Sequence, residues 1–361
     1  MDDEAYMRLA IHLAETTRGQ THPNPAVGAV VVSHGRVVGL GVHLKAGEAH
    51  AEVHALRMAG ERAAGATIYV TLEPCAHTGR TPPCADLIIQ KKLKRVVVAS
   101  TDSNPLVAGK GIARMRAAGI TVDTGLMRKE ADAVNRFFFH AIRHHSPYVT
   151  LKIACSLDGK TATTAGESQW ITGEAARRDG QKLREKHDAI LVGIGTVAAD
   201  NPRLTVRAHT EARQPIRIVL DTHLRIDEHA LVLTDRSAPT WLITGNNFDR
   251  EKAARISGGH VRIFNLSQEP IAIREMLAAL WENGITSVLV EGGATVHGSF
   301  LEARAVNEVV AYVAPKLIGG IDALPAIGGK GMAQLADSVQ LTIEHIEQMD
   351  DDLKIVASRG D

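Results

Sequence analysis

Three side chains in the first hundred residues, His50, Cys75 and Cys84, are of the donor types a tetrahedral zinc ion takes, and Glu52 stands two residues from the histidine. Three protein ligands leave a fourth position open, where the pKa of a water falls towards neutrality. Two thiolates balance the charge of the ion, and a nearby carboxylate that is not a ligand can carry protons. Hydrolytic deamination of a nucleobase uses this set: hydroxide attacks an amidine carbon and ammonia leaves. The generic signature has two residues between its cysteines, whereas eight lie between Cys75 and Cys84. Two other readings therefore stand beside it. The cysteines could be buried apolar fillers, or the ion could be structural, its fourth ligand supplied by His54 or His77.

A second set lies further on. Strand-like DAILVGI runs into Gly193-Ile194-Gly195-Thr196-Val197-Ala198, a G-x-G-x-x-A turn of the dinucleotide type, and SVLVEGG runs into Glu291-Gly292-Gly293-Ala294-Thr295. Glycines at such turns let backbone N–H groups and a helix N-terminus approach phosphate. The acidic residue expected about 20 positions on is missing, and Asp221 comes somewhat later. Tight strand–helix packing is the alternative at both turns. Cys155 reads as strand core.

These residues need particular elements to position them. Residues i and i+2 share no face in mid-helix, so His50 and Glu52 can face one pocket only at a helix start. A helix over 51–60 meets that need. Cys84 follows Pro82-Pro83 and opens a helix at 84–92, where the dipole favours a thiolate. Around them the pattern predicts a helix capped by Asp2 or Asp3 and ended by Gly19, and a hairpin turning at His34-Gly35. Strands TIYVTLE, RVVVAS and ITVDTG follow, with a helix at 110–118. A helix over 126–143 holds Phe137, Phe138 and Phe139, half of the six phenylalanines, as core or interface packing. His144-His145-Ser146-Pro147 ends it, because a residue before proline resists the α conformation. The expected domains are 1–146 and 147–361. The second restarts with YVTLKIACS and continues with a helix at 174–186 and strand DAILVGI. Loop ADNPRLTVR, strands IRIVLD, TWLIT and HVRIF, and a helix at 270–282 come next. A helix from Ala294, strand EVVAYVAP and two strands near 339–346 and 353–358 complete it. Alternating strands and helices imply an α/β sandwich in each half.

The chain is 361 residues long and 45% apolar, enough for two ordinary cores. No apolar run approaches the ~18–20 residues of a membrane span. The start, MDDEAYMR, is acidic and amphipathic, unlike a secretory signal or a transit peptide. Three cysteines build no disulfide framework. A cytoplasmic protein is expected. Residues 1–146 hold 18 Lys and Arg against 13 Asp and Glu, and residues 147–361 hold 23 against 28, so the halves carry +5 and −5. The mildly basic first half suits a phosphorylated metabolite and falls far short of a nucleic-acid binder's footprint.

The wider pattern carries a resemblance. EPCAHTGRTPPC, with HAE upstream and THPNPAVGAVVV near the start, resembles the bifunctional riboflavin-biosynthesis deaminase–reductase family. LKIACSLDGKTA, SQWITG, AILVGIGTVAADNPRLTVR and LVEGGATVHGSF are similar to its reductase domain, in the expected order. The eight-residue spacer is that family's own pattern. The resemblance implies a cytidine-deaminase-like three-layer α/β/α domain, then a dihydrofolate-reductase-like α/β domain. It implies Zn2+ on His50, Cys75 and Cys84, with Glu52 as proton shuttle. Deaminase substrate contacts would come from Asn24, His43, His77, Arg80, Asp102 and Asn104. Lysine is common in the family at the position of Arg80. NADPH would meet Ala154, Trp170, Thr196, Asp200, Gly293, Ala294, Thr295, Val296 and His297. The reductase substrate would meet Ser168, Arg184, Leu204, Arg207 and Glu291, with Lys152 and Asp158 as further candidates.

The implied reactions are removal of the 2-amino group of 2,5-diamino-6-ribosylamino-4(3H)-pyrimidinone 5′-phosphate, then NADPH-dependent reduction of the ribosyl product through an imine at C1′. No residue stands out as proton donor for the second step. Implied partners are small ribosyl-pyrimidine phosphates and further copies of the chain, with no nucleic acid and no membrane. The rival reading is a nucleic-acid-editing zinc deaminase carrying a nucleotide-binding regulatory domain.

Overall fold

A computed structural model describes residues 2–76, 82–102, 108–207 and 213–360. The chain divides into two compact units, Met1–His145 and Ser146–Asp361.

The first unit runs α1 (Asp3–Glu15), β1 (Gly28–Ser33), β2 (Arg36–Val42), α2 (Ala51–Ala59), β3 (Thr67–Leu72), α3 (Cys84–Gln90), β4 (Arg95–Ser100), α4 (Lys110–Ala117), β5 (Thr121–Thr124), α5 (Arg128–Val134) and α6 (Arg136–His144). Its sheet has the order β2-β1-β3-β4-β5. The β1–β2 and β1–β3 pairs are antiparallel, and β3–β4 and β4–β5 are parallel. Period-two alternation divides each strand between two cores. Val31, Ile68, Val70, Val96 and Val98 meet α2, α3 and α4, while Val30, Val32, Tyr69 and Val97 meet α1 and α5. The result is three layers. Asp2 caps α1 by accepting the Ala5 N–H at 2.9 Å.

Small residues set the spacing between α2 and the sheet. A Cβ at Gly41 would stand 2.0 Å from the Ala51 carbonyl oxygen, and one at Gly39 2.1 Å from that of Ala55. Glycine on β2 and alanine on α2 thus bring the helix down onto the strand. The helix expected over 126–143 is two helices broken at Asn135. The Asn135 side chain accepts the Ala26 N–H and donates to the Ala26 carbonyl, both at 2.8 Å, and a contact from so far along the chain overrides the local pattern.

The second unit runs β6 (Tyr148–Ser156), α7 (Glu174–Lys186), β7 (Ala189–Gly193), α8 (Ile194–Asp200), β8 (Ile216–Leu220), α9 (Leu231–Thr234), β9 (Thr240–Thr244), α10 (Arg250–Ile256), β10 (Val261–Asn265), α11 (Ile273–Glu282), β11 (Ser287–Gly292), α12 (Ala294–Glu302), β12 (Glu308–Ala314), β13 (Thr342–Met349) and β14 (Asp352–Ser358). The sheet order is β10-β9-β8-β7-β11-β6-β12-β14-β13, parallel from β10 to β12 and antiparallel beyond. Its central strands are buried on both faces and read as unbroken apolar runs such as Ala189–Val192. Trp241 packs on Phe264 inside this unit, and Arg262 lies over both rings. Among the described residues, no helix is long and apolar enough to cross a membrane.

Candidate active sites

His50 is the N-cap residue of α2 and Glu52 lies in its first turn, so the bend at the helix start turns both towards one point. Cys75 follows β3, and Cys84 is the first residue of α3. The His50 Nδ1 lies 3.6 Å from the Cys75 Sγ and 3.4 Å from the Cys84 Sγ, and the three donor atoms all fall within 4.8 Å of one another. Zinc–sulfur and zinc–nitrogen bonds at a tetrahedral angle would hold sulfur and nitrogen about 3.6 Å apart. The donor set therefore fits the ion.

The Cys84 backbone N–H also donates to the Cys75 sulfur at 3.3 Å. Hydrogen bonds from Cys84 and then His50 outweigh burial and hold the Cys75 thiol below its ordinary pKa. Glu52 is 3% exposed. Burial first, then the Cys75 charge, raises its carboxyl pKa, which suits a group that must both take and return a proton.

Two residues beside this cluster are locked together. The His43 Nδ1 lies 3.2 Å from the Ala49 carbonyl and its Nε2 lies 3.0 Å from the Asn24 amide nitrogen. A carbonyl only accepts and an amide N–H only donates, so with the Asn24 nitrogen facing the ring the network assigns the hydrogen to Nδ1 and makes the ring neutral. Burial lowers the His43 pKa in the same sense. Among the described residues, the pairing leaves the Asn24 side-chain oxygen as a spare acceptor. His43 also meets His50 edge to face, with ring centroids 5.2 Å apart. Asp102 lies just beyond β4, half-buried, and its backbone N–H reaches Glu73. His77, Arg80 and Asn104 lie outside the described residues.

The second unit holds a cavity of about 550 Å3 at the C-terminal ends of β6, β7 and β11. Of the residues named from the sequence, Lys152, Ala154, Ser168, Trp170, Arg184, Thr196, Asp200, Leu204, Arg207, Glu291, Gly293, Ala294 and His297 line it. Thr295 and Val296 do not appear in its lining. They occupy the first turn of α12, where Val296 packs into the core. Arg184 makes a paired contact with Glu291, both bonds at 2.7 Å, and gives a third to the Thr205 carbonyl at 2.9 Å. Three of its five N–H groups are thus committed within the protein. Burial opposes the Glu291 charge, but Arg184 outweighs it and holds the carboxyl at about 2.

Burial holds the ammonium of Lys152 below its ordinary pKa, against the pull of Glu291. Arg177 lies 4.5 Å from the centre of the Trp170 ring. Arg203 lines the cavity too and was not singled out from the sequence, although it sits inside the quoted NPRLTVR run. Leu204 takes a left-handed backbone, φ +52°, while its side chain is buried. Asp158 lies outside the lining and accepts the N–H groups of Ile318 and Gly319.

The glycine turns have different uses. A Cβ at Gly193 would stand 2.7 Å from the Val296 side chain, so this glycine serves strand–helix packing. Gly292 has φ +122°, a backbone only glycine adopts readily, and turns the chain into α12. Asp221 serves its own turn, its Oδ2 accepting the Ile226 N–H at 2.8 Å.

The comparisons with known proteins agree in both halves. A model of the cytidine and deoxycytidylate deaminase zinc-binding region matches residues 1–100, and a model of the RibD C-terminal domain matches residues 147–355. The riboflavin biosynthesis protein RibD of Bacillus amyloliquefaciens is 53% identical, across 98% of this chain and 96% of the relative. The chain belongs to the RibD family. Acinetobacter baumannii RibD has the same fold, with TM-score 0.90, 39% identity and 99% of each chain covered. A Thermotoga maritima diaminohydroxyphosphoribosylaminopyrimidine deaminase/5-amino-6-(5-phosphoribosylamino)uracil reductase matches at TM-score 0.87 and 34% identity, over 99% of this chain and 98% of that one. As a RibD-family chain, this is an enzyme of riboflavin biosynthesis that joins a deaminase to a reductase. The two halves expected from the resemblance, cytidine-deaminase-like and reductase-like, are those that the family models and the RibD structures match.

Proposed function

We propose that the first unit hydrolyses the 2-amino group of 2,5-diamino-6-ribosylamino-4(3H)-pyrimidinone 5′-phosphate, and that the second reduces the resulting 5-amino-6-(5-phosphoribosylamino)uracil to its ribityl form with NADPH. The observation that carries this reading is the three-donor cluster of His50, Cys75 and Cys84 with buried Glu52 beside it. A fourth protein ligand, which a structural ion would need, is missing from that cluster among the described residues.

Zinc held there would supply an activated water. Glu52 would carry a proton from the attacking water to the departing amine, so that water and the amidine become a carbonyl and ammonia. The spare oxygen of Asn24 suits an N–H of the pyrimidine edge, and Asp102 closes the substrate side. His77, Arg80 and Asn104 complete the proposed contacts.

In the second unit, NADPH would supply hydride to C1′ of the open-chain imine. The helix N-terminus behind Gly293, with Thr196 beside it, suits the cofactor's phosphates. Ala154, Trp170, Asp200, Ala294, Thr295, Val296 and His297 are the remaining proposed contacts. Arg207 has no side-chain bond among the described residues and suits the substrate phosphate, with Ser168 and Leu204 shaping that end. Arg184 is the weaker phosphate candidate, because Glu291 occupies its fork. The reading includes a cytoplasmic homo-oligomer, for which the exposed edge strand β13 offers a pairing surface.

The test is a paired assay on one zinc-replete preparation given the diaminopyrimidinone ribotide. Ammonia is followed with and without NADPH, and NADPH oxidation alongside. Ammonia in both cases, with NADPH consumed only after deamination, is expected. Ammonia without NADPH oxidation reduces the second unit to a binding module, and no ammonia at all overturns the deaminase substrate.

A further inference from the structure

Glu73 is a buried carboxylate that the deamination chemistry leaves unused. It follows β3 and immediately precedes Pro74 and the zinc-ligand candidate Cys75, and it is 4% exposed. Its Oε1 accepts the N–H groups of Gly111 at 3.0 Å and Ile112 at 3.3 Å. These belong to the first turn of α4, whose N–H groups have no partner within the helix. Its Oε2 accepts the Gly109 N–H at 2.9 Å and the Asp102 N–H at 3.4 Å. One oxygen therefore holds the chain at both Asp102 and Gly109, and the other holds the helix that follows. The Glu73 backbone N–H is itself bonded to the Ser100 carbonyl at 2.9 Å. The start of α4 also presses on the next peptide, since a Cβ at Gly111 would stand 2.0 Å from the Pro74 oxygen.

We propose that Glu73 is a positioning residue of the deaminase: its carboxylate fixes Asp102 relative to the strand end that delivers Cys75, and so sets where the substrate sits against the metal cluster. The proposal rests on the reading of Asp102 as a substrate contact. A carboxylate suits this task and an amide does not. Four N–H donors converge on two acceptor oxygens, and an amide replaces one of those oxygens with a further donor.

The test is Glu73→Gln in the full-length zinc enzyme, with KM and kcat for deamination measured beside zinc content, and Asp102→Ala measured in parallel. Loss of one or two charge-assisted hydrogen bonds predicts a rise of about 10-fold in KM for Glu73→Gln. Zinc content should stay at the wild-type level and kcat should change much less, because Glu52 and the metal donors are untouched. A wild-type KM in zinc-loaded Glu73→Gln, while Asp102→Ala raises KM, overturns the positioning role alone. A wild-type KM in Asp102→Ala removes the reading beneath it. Should Glu73→Gln lose zinc or fail to fold, Glu73→Asp keeps the charge and withdraws the carboxylate by one methylene. An elevated KM in its zinc-loaded fraction supports the proposal, and a wild-type KM there makes Glu73 a purely structural residue.

Discussion

His43 stands between a group that only accepts and a group that only donates, so its protonation state is a property of two neighbours. Asn24→Asp replaces the donor with a carboxylate. The ring should then take up a second proton and its pKa should rise, reversing the lowering caused by burial. An NMR titration of the His43 ring reads this directly, and an unchanged pKa would show that the side chain at position 24 does not govern the ring. Glu52→Gln removes the proton carrier and keeps the shape. Ammonia release should fall by about 10²–10⁴-fold with zinc content unchanged, and any smaller loss would assign the proton transfer to another group. The cluster residues were legible because a histidine, two cysteines and an acid are types that name their own chemistry. Glu73 and Asn135 were not. Each bonds to backbone N–H or C=O groups distant in the chain, and that use leaves no pattern of residue types to read.

Glycine and alanine hold α2 against β2, and the same helix carries His50 and Glu52. Gly41→Ala would drive a Cβ into the Ala51 carbonyl and force α2 away from β2. We expect a cost of about 1–3 kcal/mol together with weakened zinc retention, measured by thermal unfolding and metal content. Stability loss with full zinc retention would uncouple the metal cluster from the helix spacing. In the second unit, Glu291 on β11 and Arg184 on α7 form a largely buried pair at the cavity. The Glu291 carboxyl titrates at about 2 in the fold against an ordinary 4.5, so on acidification the unfolded chain takes up the proton first. The contribution is present in full above pH 4.5 and is lost as pH falls towards 2, on the order of 3 kcal/mol. Arg184→Met strands the carboxylate and should destabilise the unit by about 3–5 kcal/mol at neutral pH. With Arg184 gone, burial raises the Glu291 pKa, so the slope should reverse and acid should relieve part of the loss, which urea titrations at pH 7 and pH 3 followed by circular dichroism would reveal. Periodicity and capping made α7 and the start of α12 legible. The G-x-G-x-x-A turn at Gly193 opens the short helix α8, and its first glycine answers to Val296 on α12.

At the scale of the molecule, the chemistry divides with the chain. The described residues of the metal cluster lie within the first unit, and those lining the cavity lie within the second. A chelator should therefore abolish ammonia release and leave NADPH oxidation on the already deaminated substrate unchanged. Loss of both activities would mean that the second reaction also needs the metal. The two-part organisation was legible in the shift of charge and in the Pro147 break, whereas assembly between copies depends on surfaces that composition does not mark. The aromatic residues divide as well. All three tryptophans, Trp170, Trp241 and Trp281, lie in the second unit, whereas the first has only Tyr6 and Tyr69 as phenol rings. Trp170 stands 62% exposed at the cavity with Arg177 over its ring, and Trp241 is buried in the sheet. Excitation at the red edge of indole absorption thus lights one half of the enzyme and leaves the other dark. Its emission is an optical label already in place, with one fluorophore at the mouth of the proposed cofactor site and another reporting the integrity of the sheet behind it.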